Sequence, residues 1–243
     1  HERVIDLCIE RRVGKVPVIA GTGSNSTDEA ISLTKFSKEA GADAALVVTP
    51  YYNKPTQEGL YHHFKAINDS CDLPIIIYNI PARSVVDINI ETMKKLAKLK
   101  NIIGVKDSSN DLTRPLLTTK SIGKNFCQIS GEDATVVPFL SQGGHGCISV
   151  TANIAPRMCS DLHNAWQKGN FKKVQSLNSF LFPLHNVLFL ETSPGPVKYA
   201  ASLLKICSEE LRLPLVKVEP STKKEIKSIL TKLKIKPIKK NKC

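Results

Sequence analysis

Six short apolar runs, each closed by a polar or glycine-bearing turn and each followed by a stretch of helical periodicity, predict an α/β fold on a parallel sheet. The runs end near Ala20, Thr49, Tyr78, Lys106, Ser130 and Val150. Helical stretches follow at about 28–40, 56–69, 90–99, 112–121, 133–142 and 155–167. Regular strand–helix alternation implies right-handed βαβ units. Six units in line, with chemically loaded residues at the strand C-termini, favour a (β/α)8 TIM barrel over an open sheet, because barrels carry their active sites at those ends.

The chain opens inside an amphipathic helix over residues 1–12, with Val4, Ile5, Cys8 and Ile9 on one face, and it has no initiator Met. The expectation is a barrel whose first two strands are missing from this chain. Residues 1–167 then supply six of the eight strands, and residues 168–243 form a C-terminal helical extension with a basic tail. The alternative is a complete six-stranded open sheet. In the extension, residues 171–190 and 196–206 read as helices. Trp166, Phe171, Val174, Leu177, Phe180 and Leu181 form an apolar stripe that is expected to be core more than interface.

The third and fourth runs carry the chemistry. Pro74-Ile75-Ile76-Ile77-Tyr78 and Ile102-Ile103-Gly104-Val105-Lys106 are rich in β-branched residues and read as strands buried on both faces. A lysine closing such a strand is costly without a task, because desolvation disfavours an ammonium. The same environment makes an amine usable as an imine-forming nucleophile. A tyrosine ending the adjacent strand supplies a hydroxyl that can shuttle protons.

Composition excludes several other classes. At 243 residues the chain suits one large core of the barrel size class. No run approaches the roughly 18 to 20 apolar residues of a membrane span, so a cytoplasmic protein is expected. The seven cysteines are odd in number and form no CxxC pair, so they read as reduced core residues. Adjacent His62 and His63 point about 100° apart on a helix, and no metal site is expected. The net charge is +12, but residues 217–243 carry +8 of it and contain neither arginine nor aromatic residues. That tail, with Ile226, Ile229, Leu230 and Leu233 at helical spacing over 223–234, is read as a terminal helix with a solvated lysine face rather than a nucleic-acid site.

Four ordered motifs then carry a resemblance over residues 1 to about 215. Pro50-Tyr51-Tyr52-Asn53-Lys54-Pro55, Tyr78-Asn79-Ile80-Pro81-Ala82-Arg83, Gly104-Val105-Lys106-Asp107 and Gly143-Gly144-His145-Gly146 closely resemble the dihydrodipicolinate synthases, class I aldolase-type lyases of lysine and diaminopimelate biosynthesis. The resemblance implies condensation of pyruvate with aspartate semialdehyde through a lysine Schiff base, with no cofactor beyond the covalent pyruvate imine on Lys106. It implies Tyr78 as the proton-relay phenol and Tyr52 as a tyrosine reaching across a dimer interface into the neighbouring relay. Arg83 matches the arginine that holds the semialdehyde carboxylate, to which a planar fork is suited. Gly131 and Ile148 match positions contributing backbone carbonyls near the pyruvate. A homotetramer built from dimers is expected, without nucleic-acid or membrane partners.

Two departures stand out. The Gly-Thr-Thr-Gly-Glu turn that supplies the family's relay threonine is absent from this sequence. Asp107-Ser108-Ser109-Asn110 differs from the family's pattern after the lysine, which is expected to affect a loop more than the chemistry. The turn at 21–29 has the wrong glycine spacing for a phosphate or dinucleotide loop. Ser26-Thr27-Asp28-Glu29 reads as a capping box, Ser26 accepting from the Glu29 amide and Glu29 reaching back. The resemblance adds another reading, in which Asn25 and Glu29, with His1 and Tyr51, hold the inhibitor L-lysine. A sibling pyruvate aldolase, of the sialic-acid lyase or keto-deoxy-sugar-acid type, would keep Tyr78 and Lys106 without needing Arg83 or the Tyr51-Tyr52 pair. A non-catalytic basic fragment is the third reading.

Overall fold

In the computed structural model, residues 1–14 and 16–237 are described. Cys243 and the last three lysines of the expected basic tail therefore lie outside the described residues. Contacts group the chain into two compact units, residues 1–131 with 138–148, and residues 132–137 with 149 onward. This division falls earlier in the chain than the boundary expected at 167.

The first unit holds a six-stranded, wholly parallel sheet. Its strands are β1 (Ile19–Gly21), β2 (Ala44–Val48), β3 (Ile75–Asn79), β4 (Ile102–Asp107), β5 (Cys127–Ser130) and β6 (Gly146–Cys147), hydrogen-bonded in chain order. Its helices are α1 (Glu2–Arg11), α2 (Thr27–Glu39), α3 (Gln57–Ser70), the short α4 (Pro81–Ser84), α5 (Ile90–Leu96), α6 (Arg114–Ile122) and, from Pro138 on, α7 (Val136–Ser141). Strand order equal to chain order, with every crossover of one hand, puts the helices on one face of the sheet. Ala45, Val47, Ile75, Ile77 and Val105 face that layer and pack with Leu60, Phe64 and Ile67 of α3 and Met93 and Leu96 of α5. By the two-residue period of a strand, Leu46, Val48, Ile76, Tyr78 and Lys106 occupy the opposite face.

The β3–β4 pairing is irregular. Ile75 pairs with Ile102 but Ile76 pairs with Gly104, so Ile103 is an extra residue, bulged and 42% exposed. Gly104 is required beside it, because a Cβ there would lie 2.4 Å from the Cys127 carbonyl oxygen.

Several element ends differ from expectation. The sixth strand stops at Cys147, not Val150. Ile148 still donates to the Ser130 carbonyl at 3.0 Å. Beyond it, the Asp133 carboxylate accepts from the Val150 and Thr151 amides at 2.8 and 3.1 Å and from the Ser149 hydroxyl. Those bonds turn Thr151–Asn153 into a 3₁₀ turn and hold Asp133 out of α7, which begins only at Val136. Helix α5 ends three residues early because Lys98 and Leu99 donate to carbonyls three back, tightening the last turn.

The second unit carries α8 (Pro156–Gln167), α9 (Phe171–Val187), α10 (Gly195–Leu203) and α11 (Pro220–Lys232). The terminal helix starts at Pro220, earlier than the lysine-rich stretch, since proline fits a helix's first turn. The apolar stripe is only partly core. Val174 and Leu181 are buried, whereas Phe171 and Phe180 stay exposed. No helix among the described residues is long and apolar enough to cross a membrane.

One buried titratable group ties two helices of the first unit. His63 on α3 is 5% exposed and pairs its Nδ1 with Thr27 Oγ1 of α2 at 2.9 Å. Burial pushes its pKa down to about 4. The unfolded imidazole binds its proton near 6.5, so the stabilising neutral state is fully present above that value and is lost as pH falls from 6.5 towards 4. A loss of about 3 kcal/mol is expected across that window. Thermal melts at stepped pH should show a shallower fall for His63→Leu than for the unaltered protein; parallel curves would remove His63 as the cause.

Candidate active site

The site begins with the register of two strands. Tyr78 and Lys106 are direct partners across β3 and β4, and Asn79 and Asp107 are the next pair. Lys106 is 8% exposed, and its Nζ sits 3.9 Å from the centre of the Tyr78 ring. A desolvated cation over an aromatic face gains electrostatic stabilisation that partly offsets burial. An amine and a phenol are thus in contact at the C-terminal ends of adjacent parallel strands.

On the sheet's other face lies a polar network that the sequence reading missed. Asn79 donates through Nδ2 to Asp87 Oδ1 at 2.7 Å and to Asp107 Oδ2 at 3.1 Å. Arg114 donates from one nitrogen to both Asp87 oxygens, at 2.8 and 3.0 Å, from a second to the Ile88 carbonyl at 2.6 Å, and its Nε is 3.2 Å from Asp107 Oδ2. The other Asp107 oxygen accepts from the Ser109 amide at 3.0 Å. Asp107 is therefore no loop residue. It closes β4 and anchors the residue beside Lys106. The signal for this was available: two polar residues immediately after Tyr78 and Lys106 must point away from them.

Gly131 follows β5 and donates to the Asp107 carbonyl at 2.8 Å. A Cβ at this position would meet Ser108 Oγ at 1.8 Å and Lys106 Cε at 3.0 Å, so glycine leaves the gap those two side chains fill. Ile148 lies just past β6, where its amide donates to the carbonyl of Ser130, the last residue of β5 and the neighbour of Gly131.

A cavity of about 420 Å³ gathers His1, Tyr51, Tyr78 and Arg83 among its lining residues, with Leu46 and Val48 from β2. Arg83 reaches it from α4, which is held by the Ser84 hydroxyl on the Ile80 carbonyl and closed by Val85 at φ 65°. His1 Nε2 lies 2.6 Å from the Gly21 carbonyl oxygen. Tyr52 is not in this cavity. It stands 88% exposed on a turn where both it and Lys54 adopt positive φ, 73° and 47°. Such backbone is unfavourable for a non-glycine residue and marks a turn worth its strain. Asn53 holds that turn to the 21–29 turn by donating from Nδ2 to the Asn25 carbonyl at 2.9 Å.

The capping box is only half formed. Ser26 Oγ accepts from the Glu29 amide at 3.4 Å, but the Glu29 carboxylate takes the Ser24 hydroxyl instead of the Ser26 amide. Ser24 Oγ in turn accepts from the Ser26 amide at 3.1 Å. Ser24 takes both partners of the missing half, the Glu29 carboxylate and the Ser26 amide.

The model of the dihydrodipicolinate synthetase family matches residues 1–233. The 4-hydroxy-tetrahydrodipicolinate synthase of Rhodospirillum centenum is 63% identical over 232 residues, which is 96% of this chain and 80% of that protein. The crystal structure of dihydrodipicolinate synthase from Aquifex aeolicus superposes with a TM-score of 0.95 at 44% identity, over 98% of this chain and 82% of that one. The chloride-inhibited dihydrodipicolinate synthase from Acinetobacter baumannii, complexed with pyruvate, gives 0.93 at 42%, over 97% and 81%. The same enzyme from Cyanidioschyzon merolae, with lysine bound, gives 0.93 at 33%, over 96% and 80%. A match spanning nearly the whole chain, at such identity, shows that the chain belongs to the dihydrodipicolinate synthetase family.

Proposed function

We propose that Lys106 is the Schiff-base nucleophile for condensing pyruvate with aspartate semialdehyde, the reaction expected of this family. The contact between Lys106 Nζ and the Tyr78 ring, 3.9 Å at paired strand ends, carries this reading. The amine adds to the ketone carbon of pyruvate, and loss of water leaves a protonated imine. That imine accepts the electron pair released when the methyl group gives up a proton, forming an enamine. The enamine carbon attacks the aldehyde carbon of the semialdehyde. The substrate's own amine then adds to the imine carbon and expels Lys106, closing the ring and freeing the enzyme. Tyr78 moves the protons at the dehydration and deprotonation steps, and it needs a hydrogen-bonded chain to do so near neutral pH. No cofactor is required, since the imine itself is the electron sink.

The six strands belong, in this reading, to a (β/α)8 barrel. An open doubly wound sheet reverses its strand order at a switch point, whereas these strands run in one direction without reversal. Tyr52, held into solvent on a strained turn, suits a side chain that completes a neighbouring subunit's relay within a dimer of a homotetramer. Gly131 and Ile148 contribute carbonyls around the bound pyruvate. None of the six described cysteines forms a disulfide, in keeping with a cytoplasmic enzyme.

Arg83 is the carboxylate clamp for the semialdehyde, facing the cavity that Tyr78 also lines. Replacing it by alanine should raise the KM for the semialdehyde by roughly 30- to 1000-fold, the cost of a charge-assisted bidentate pair, with little effect on the KM for pyruvate. Steady-state kinetics in each substrate checks this. Equal effects on both would move Arg83 out of the semialdehyde site and favour a sibling aldolase.

L-lysine is the proposed inhibitor, held by Glu29, Asn25, Tyr51 and His1. A zwitterion with a distal ammonium needs an anion, neutral acceptors and donors, and these four residues provide all three. The bond from Asn53 to Asn25 draws their two turns together. Titration calorimetry of lysine is expected to show at least about a tenfold weaker affinity in Glu29→Ala, the loss of one charged hydrogen bond. Unchanged affinity in a well-folded variant would leave Glu29 as the partner of Ser24 and nothing more.

A further inference from the structure

We propose that the Ser108 hydroxyl binds the pyruvate-derived adduct on Lys106 directly, a role that rests on the reading of Lys106 as the nucleophile. Ser108 is 6% exposed, yet its Oγ has no hydrogen-bond partner among the described residues. Buried hydroxyls nearly always find a partner, because leaving one unpaired forfeits its solvation. An orphan of this kind, beside a reacting group, points to a partner that arrives with the substrate.

Its position supports that partner's identity. Ser108 follows Lys106 by two residues, so the alternation of an extended chain turns both side chains to the same face. Its amide donates to the Asn79 carbonyl at 2.8 Å, which prolongs the β3–β4 ladder by one step and fixes the direction of its Cβ. Ser108 Oγ and Lys106 Cε both crowd the point where a Cβ at Gly131 would lie, at 1.8 and 3.0 Å. The hydroxyl therefore shares a gap with the end of the lysine that carries the adduct. The pyruvate adduct presents oxygens there: the hydroxyl of the first-formed carbinolamine and the carboxylate. Both accept a hydrogen bond from Ser108, and the second substrate, held at Arg83, does not depend on it.

The test compares the unaltered enzyme with Ser108→Ala and Ser108→Thr. Read-outs are the pyruvate concentration dependence of borohydride trapping, the KM for each substrate, and the melting temperature without substrate. Ser108→Ala is expected to weaken pyruvate trapping about tenfold, the worth of one hydrogen bond, while leaving the semialdehyde KM unchanged. Its substrate-free melting temperature should hold or rise, since an unpaired hydroxyl is removed. Ser108→Thr, which keeps the hydroxyl, should recover most of the trapping. Unchanged pyruvate dependence in Ser108→Ala would overturn the proposal, as would a fall in melting temperature with unchanged kinetics, which marks a purely structural hydroxyl. Absence of trapping in the unaltered enzyme would instead overturn the reading of Lys106 itself.

Discussion

Replacing Lys106 by alanine is expected to remove activity altogether. Treated with pyruvate and borohydride, the protein should gain one pyruvyl adduct, located on Lys106 by peptide mass spectrometry, and Lys106→Ala should gain none. The expectation follows from chemistry as much as position. Among the described residues Lys106 is the one lysine within a strand of the sheet, and without the imine pyruvate has no electron sink to stabilise the carbanion at its methyl carbon. Rate losses of at least about a thousandfold are therefore expected, since the covalent route itself disappears. An adduct on another lysine would transfer the nucleophile's role there. Lys106→Arg should be equally inactive, because it keeps the charge over Tyr78 while losing the nucleophile.

The largest stability effect is expected at Asp107. Its carboxylate is 8% exposed and holds Asn79, Ser109 and Arg114 together behind the Tyr78–Lys106 pair. Removing one partner of a buried ion pair costs about 3–5 kcal/mol, because the other charge stays buried. Arg114 retains Asp87, which is half-exposed, so the cost in Asp107→Ala should fall near the lower end of that range. For a chain of this length that is a drop of roughly 10 °C in Tm. Asp107→Asn keeps an acceptor for Ser109 and should lose less. A double variant, Asp107→Ala with Arg114→Ala, should lose less than the sum of the singles by about 1–3 kcal/mol, since the two share one network. Additive losses would separate Asp107 from Arg114, and a Tm change under about 2 °C in Asp107→Ala would show that the network adds little. In variants that fold, kcat should fall as well, because the residue beside Lys106 is no longer anchored.

The strands, the order of the helices and the placement of Tyr78 and Lys106 on adjacent strands are legible in the sequence, because those signals are local. A run of β-branched residues four to six long says strand, and a lysine or tyrosine at its end announces itself. The half-formed capping box shows where local reading stops. Ser26 and Glu29 have the right spacing, but Ser24 is nearer in space to the Glu29 carboxylate and takes it. Spacing names the candidates for a hydrogen bond; geometry chooses among them. The sixth strand's early end has a similar cause, since Asp133 lies 17 residues before the Val150 amide it accepts from. Nothing in the run Gly146–Val150 itself reveals that competitor.

By itself, the sequence determined that a lysine and a tyrosine lie near the C-terminal ends of successive parallel strands, since periodicity and strand length depend only on residues close along the chain. Tertiary structure alone decided that they face each other. The bulge at Ile103 shifts β4 by one residue against β3. Had the register at Ile75 and Ile102 continued unbroken, Val105 would lie opposite Tyr78 and Lys106 would turn to the helix-covered face. Side chains alternate along a strand, so one residue of slip exchanges the two faces. The bulge is set by Gly104 against the Cys127 carbonyl, and the pairing is held by Asn79 and Asp107 against Asp87 and Arg114. These contacts join segments far apart in the chain, and their energies exist only once the fold has brought them together.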